Sequence, residues 1–140
     1  VRSAAKYAGT WEGRSFVSPA DTGIPWTSTS NVAAAGTLSG TVTFTGSKLP
    51  PVAIQMFEIT DSTAIQDIGP YTSLTSKAEV MTRVEGRVAG DSAWGTFVTL
   101  PTQGGLVTPG MSSAQWKNFE VRPTAGNEPV RGTFVAKRRR

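Results

Sequence analysis

No histidine and no cysteine occur anywhere in the chain. Their absence excludes Ser-His-Asp and Cys-His catalysis, thiol redox chemistry, and the usual zinc, haem and iron–sulfur ligand sets. It also removes the side chain that by default changes charge between about pH 5 and 8. Acid–base chemistry is left to carboxylates, lysine and tyrosine, and charge of either sign is scarce. Asp, Glu, Lys and Arg make up 17% of the residues, against ~25% in an average chain. No run approaches the ~20 apolar residues of a membrane-spanning helix. The expectation is a non-enzyme with no metal and no cofactor.

The net charge of +4 has a single location. Lys137, Arg138, Arg139 and Arg140 are adjacent, and the rest of the chain balances ten basic against ten acidic side chains. A neutral body with no basic stripe interleaved with aromatics does not read as a nucleic-acid binder. The chain opens at Val1 with no hydrophobic signal-like segment, and reads as a processed or trimmed form. Low charge and abundant Thr, Ser and Gly then favour an extracytoplasmic location, secreted or periplasmic.

A length of 140 residues suits one domain. The chain divides into an arm at 1–8, a single domain at 9–137 and a basic tail at 138–140. Alternation of apolar and polar residues dominates the domain. From Gly9, the residues Trp11, Gly13, Ser15 and Val17 share one face of a first strand. Further strands are expected from Trp26, across Leu38–Phe44, across Val52–Ile59, in a short run at 63–68, and at 115–122 and 130–137. "GPYTS" after 68 reads as a turn. The clearest signal is a hairpin from Glu79 to Leu100, reversing at "AGDS". In its first strand Val80, Thr82, Val84, Gly86 and Val88 read as core, and Glu79, Met81, Arg83, Glu85 and Arg87 as a solvated charge ladder. One phrase partly recurs, "WGTFVT" at 94–99 against "RGTFVA" at 131–136.

Regularly spaced short strands with Gly/Pro turns indicate an all-β fold, an antiparallel barrel of eight or nine strands, with a β-sandwich as the other architecture. Gly9-Thr10-Trp11 at the head of the first strand resembles the Gly-x-Trp motif of lipocalins and the wider calycin barrels, avidins included. In that family the tryptophan closes the barrel base and packs against an arginine from the end of the last strand. The resemblance therefore implies a lipocalin-like barrel in which Trp11 and Arg138 form the structural closure. A guanidinium over an indole face is worth ~0.5–2 kcal/mol. "GTLSGT" at 36–41 looks like the second-hairpin phrasing of avidin-type barrels, and "GTWEG" at 9–13 followed by "IGPYTS" and "EGRVAGDSAWGTF" is similar to small exported bacterial proteins.

Two functional classes remain. In the first, a non-catalytic module holds a small, largely apolar ligand inside the barrel, with Trp11, Trp94, Phe97 and Phe134 as wall candidates. In the second, the chain is a structural subunit of a filament, shell or larger complex. Its contacts would be the arm 1–7, the loop 101–114 with its apolar Leu106, Val107 and Met111, and the tail residues Lys137, Arg139 and Arg140. Trp11 reads first as an ordinary core residue anchoring its strand, and Trp26, Trp94 and Trp116 as pocket, core or interface. Carboxylate pairs such as Glu58/Asp61 or Glu85/Asp91 read as solvated faces. "GDSAWG" is not a nucleophile elbow, because no histidine exists to act as base.

Overall fold

The computed structural model describes residues 4–17, 22–32, 38–59, 63–73, 79–102 and 130–139. A short 3-10 turn, Ala4–Tyr7, precedes eight strands: β1 Gly9–Phe16, β2 Ile24–Val32, β3 Leu38–Phe44, β4 Val52–Ile59, β5 Ala64–Thr72, β6 Glu79–Ala89, β7 Ser92–Pro101 and β8 Val130–Arg138. Each strand pairs antiparallel with the next, and β1 pairs with β8, so the sheet closes on itself as an up-and-down barrel. Closure removes the unpaired strand edges that would otherwise invite aggregation. The sandwich is excluded. The strand expected at 115–122, Trp116 included, lies outside the described residues.

The hairpin of β6 and β7 reverses through Gly90, whose φ of 60° suits glycine in a tight turn. Along β6, Thr82, Val84, Gly86 and Val88 face the barrel interior. The outward ladder needs correction. Met81 is 1% exposed and Arg83 5%, so that part of the outer wall is not solvated. Arg83 is the direct cross-strand partner of Asp67 on β5. Its Nε donates to Asp67 Oδ1 at 2.7 Å and its Nη2 to Oδ2 at 2.8 Å. Alternation assigns a residue to a face; it does not say that the outer face meets water.

β5 departs from expectation as well. "GPY" does not end the strand, which runs on to Thr72. The pairing with β6 slips by one residue between Ile68 and Tyr71, a β-bulge formed at Gly69, whose φ is 124°. An extra residue reverses the inward parity of everything after it. Ala64, Gln66 and Ile68 point inward before the bulge, and Tyr71 and Ser73 after it.

The recurring phrase resolves into pairing between β7 and β8. Gly95 lies opposite Phe134, Thr96 opposite Thr133, and Phe97 opposite Gly132. Each phenyl ring covers the partner strand's glycine. A Cβ added at Gly95 would stand 2.9 Å from the Phe134 ring, and one at Gly132 2.6 Å from the Phe97 ring. Gly13 and Trp26, paired across β1 and β2, repeat the arrangement, the indole leaving no room for such a Cβ. Glycine at these sites lets large rings lie flat along the wall, the aromatic–glycine pairing that steadies curved sheets.

Candidate functional site: the barrel interior

The barrel encloses a cavity of about 650 Å³. Eight-stranded barrels are just wide enough either to fill with side chains or to hold one small ligand. Here many inward positions carry small residues, among them Ser28, Ala64, Gly86, Ala93 and Ala136. Interiors otherwise contain few voids larger than a water molecule, so this volume follows from a pattern of small side chains around the wall.

One end of the cavity is shut. Trp11 on β1 and Arg138 on β8 are direct cross-strand partners, and the guanidinium carbon lies 4.5 Å from the indole centroid. β8 therefore runs one residue beyond the expected domain end, and Arg138 belongs to the barrel. Its Nη1 donates to the Ala8 carbonyl at 2.8 Å and its Nη2 to the Lys6 carbonyl at 2.6 Å. Its Nε stands 3.4 Å from Asp91 Oδ1 at the β6–β7 turn. The intervening Tyr7 carbonyl accepts from Trp11 Nε1 at 3.0 Å and from Ser30 Oγ at 3.4 Å. Three successive carbonyls are thus tied to the barrel floor, and the Tyr7 side chain is buried in the core beside Leu38, Val42, Ile54 and Ala64. The described part of the N-terminal arm is a plug at this end; it is not a free contact arm.

At the other end, β1 ends at Phe16, just before Val17, and β8 begins at Val130. Both valines line the cavity and both are exposed. Further along the wall, Phe44 and Tyr71 are in ring contact at 5.3 Å, and Trp26 meets Phe134 edge-on at 6.0 Å. Such contacts add ~0.5–1.5 kcal/mol beyond burial and hold the rings in place. Trp26 Nε1 donates to Ser15 Oγ at 2.9 Å. Three hydroxyls form a chain, with Thr82 Oγ1 2.7 Å from both the Tyr71 hydroxyl and Thr99 Oγ1. Burial pushes the Tyr71 phenol above its ordinary pKa, and the Thr82 and Thr99 hydroxyls offset this in part. Tyr71 is therefore a neutral hydrogen-bonding group at physiological pH.

Of the wall candidates, Trp11, Phe97 and Phe134 line the cavity. Trp94 does not. It sits on the outer wall, 42% exposed, opposite Val135, which is also exposed. Its place in β7 follows from alternation, since Phe97 and Thr99 take the inward parity. Among the contact candidates, Leu106, Val107, Met111 and Arg140 lie outside the described residues. Lys137 is exposed and faces Glu12 across β1 and β8. Arg139 is held rather than free, its Nε donating to Glu12 Oε1 at 2.7 Å and its backbone N to the Thr10 carbonyl at 2.7 Å. The described carboxylate pair, Glu85 and Asp91, is not brought together as an acid–base site. Glu85 is exposed on the outer wall, Asp91 is engaged with Arg138, and Asp61 lies outside the described residues.

The sequence reading missed Phe44, Gln66 and Tyr71 as wall residues. Inward parity on β3 and β5 was the available signal, and it was hidden in β5 by the bulge. Among the described residues no group of three or more acidic side chains could hold a metal, and no helix is long and apolar enough to cross a membrane. No protein-family model, curated protein or solved structure matches the chain.

Proposed function

We propose that the protein is a non-catalytic, extracytoplasmic binding module that takes one small, largely apolar molecule into a lipocalin-like barrel. The observation that carries this reading is the cavity of about 650 Å³, floored by Trp11, on which Arg138 stacks, and lined largely by aromatic and aliphatic side chains. Its size falls within the ~300–1,000 Å³ range of pockets for drug-sized ligands, which are likewise mostly apolar with few polar groups. The exposed valines at its far end give an apolar solute a compatible rim. The pairing of Trp11 with Arg138 supports the lipocalin-like assignment, since it reproduces the closure implied by the Gly-x-Trp motif.

A second reading, a subunit of a larger assembly, is favoured by the outer wall. Trp94 and Val135 form an exposed apolar cross-strand pair there, of the kind enriched at protein contacts. A native mass spectrum of the protein isolated from its source cells separates the two. The binding reading predicts a monomer carrying a removable mass of a few hundred daltons. A series of multimers with no added mass overturns it in favour of assembly.

A further inference from the structure

The polar groups of the cavity fall into two kinds. Most already have protein partners: Ser15 with Trp26, Ser30 with the Tyr7 carbonyl, and Tyr71, Thr82 and Thr99 with one another. Gln66 and Ser28 do not. Both line the cavity, yet no described group hydrogen-bonds the Gln66 amide or the Ser28 hydroxyl. Gln66 sits mid-strand in β5, between the inward Ala64 and Ile68, with Val84 as its neighbour on β6. An amide offers two N–H donors and two acceptor sites, and no described residue on this stretch of wall uses them.

Charge narrows the ligand further. Arg87 is the one formally charged residue among the described lining. It lies on the outward parity of β6, opposite the exposed Trp94, and is itself exposed. Arg138, beside Trp11 at the floor, is already engaged with the Ala8 and Lys6 carbonyls and Asp91, so no described acidic or basic side chain is left facing the lumen to offset an ionised ligand, and burying an unpaired charge is strongly unfavourable.

From this we infer that Gln66 is the polar anchor of the cavity and that the ligand is an uncharged, largely aromatic or aliphatic molecule bearing a carbonyl or amide that meets the Gln66 side-chain amide. The inference rests on the proposed ligand-binding role of the barrel. Ser28, three strands around the wall, offers a second hydrogen bond to the same class of molecule.

Two fluorescent probes with the same body test it: prodan, a neutral naphthyl ketone, and N,N-dimethyl-2-naphthylamine, which lacks the carbonyl. Both are titrated into wild-type protein, Gln66→Leu and Gln66→Met. The anchor predicts that the wild type's preference for the ketone falls roughly three- to tenfold in both variants, the worth of one hydrogen bond. Bound prodan emission shifts to the blue in the variants, because its carbonyl loses a donor. Circular dichroism checks folding, and Gln66→Met, which keeps the length of the side chain, carries the test if Gln66→Leu does not fold. Saturable binding of both probes with an unchanged preference in a folded variant overturns the anchor alone. Failure of both probes to bind the wild type overturns the ligand-binding reading and the anchor with it.

Discussion

Replacing Arg83 by Met leaves Asp67 without the guanidinium that it meets at 2.7 and 2.8 Å. The Asp67 side chain is 0% exposed and the Arg83 side chain 5%, so water cannot take over as it would at a surface pair. Removing one member of a buried pair costs about 3–5 kcal/mol, mostly as the penalty of the charge left behind. Whole-domain stability is commonly ~5–15 kcal/mol, so the loss is a large share of it. For a chain of this size that is a fall in Tm of roughly 10–15 °C. The double variant Asp67→Leu/Arg83→Met removes both charges and fills the volume with apolar groups, which is often neutral. It is expected to recover most of the loss. Urea unfolding followed by tryptophan fluorescence measures all three proteins, together with Asp67→Leu, as a double-mutant cycle. Arg83→Met within ~1 kcal/mol of wild type, or a double variant as unstable as the sum of the singles, refutes the argument.

Other parts of the barrel give further expectations. Arg138→Ala removes the stacking on Trp11 and two hydrogen bonds to the N-terminal carbonyls, and should cost about 2–4 kcal/mol. A red shift of tryptophan emission would show that the barrel floor has loosened, and an unchanged melt would contradict the closure. Gly132→Ala drives a methyl against the Phe97 ring and the Phe16 carbonyl, with an expected loss of ~1–3 kcal/mol. Phe97→Leu should relieve only the part due to the ring. The raised pKa of Tyr71 makes stability depend on alkaline pH. Near pH 10 the unfolded chain releases the phenolic proton while the folded barrel retains it. The contribution is full below that pH and is lost as pH rises through the folded-state pKa. Tyr71→Phe should flatten this part of the urea-stability profile, and an identical slope in both proteins would refute the assignment.

Much of the barrel is written in its alternation. Trp11 and Ser15 on β1, Val17 just past its end, and Val84 with Val88 on β6 line the interior as their spacing requires, and "AGDS" reverses the hairpin where its glycine sits. What alternation cannot convey is the surroundings of each face. Arg83 takes the outward parity of a solvated ladder, yet it is buried against an aspartate sixteen positions away that only strand register brings opposite. Trp94 suffers the reverse misreading, since its size suggests a wall residue while its parity sends it outward. Gly69-Pro70 carries turn chemistry, and the same glycine instead supports a bulge within β5. That single slip decides that Tyr71 lines the cavity. The paired "GTF" phrases could have been read as facing strands, because each offers a glycine where the other offers a ring, but this required knowing that β7 and β8 are neighbours.

The proposed binding site is the barrel interior, and its proposed ligand a small apolar molecule. The most direct measurement is a fluorescence titration with the neutral probe N-phenyl-1-naphthylamine on wild-type protein and on folded Val84→Trp, whose indole projects into the cavity from β6. The account predicts saturation at one probe per chain in the wild type and loss of that site in the variant. Absence of saturable binding to the wild type, or equal binding by the blocked variant, would contradict it.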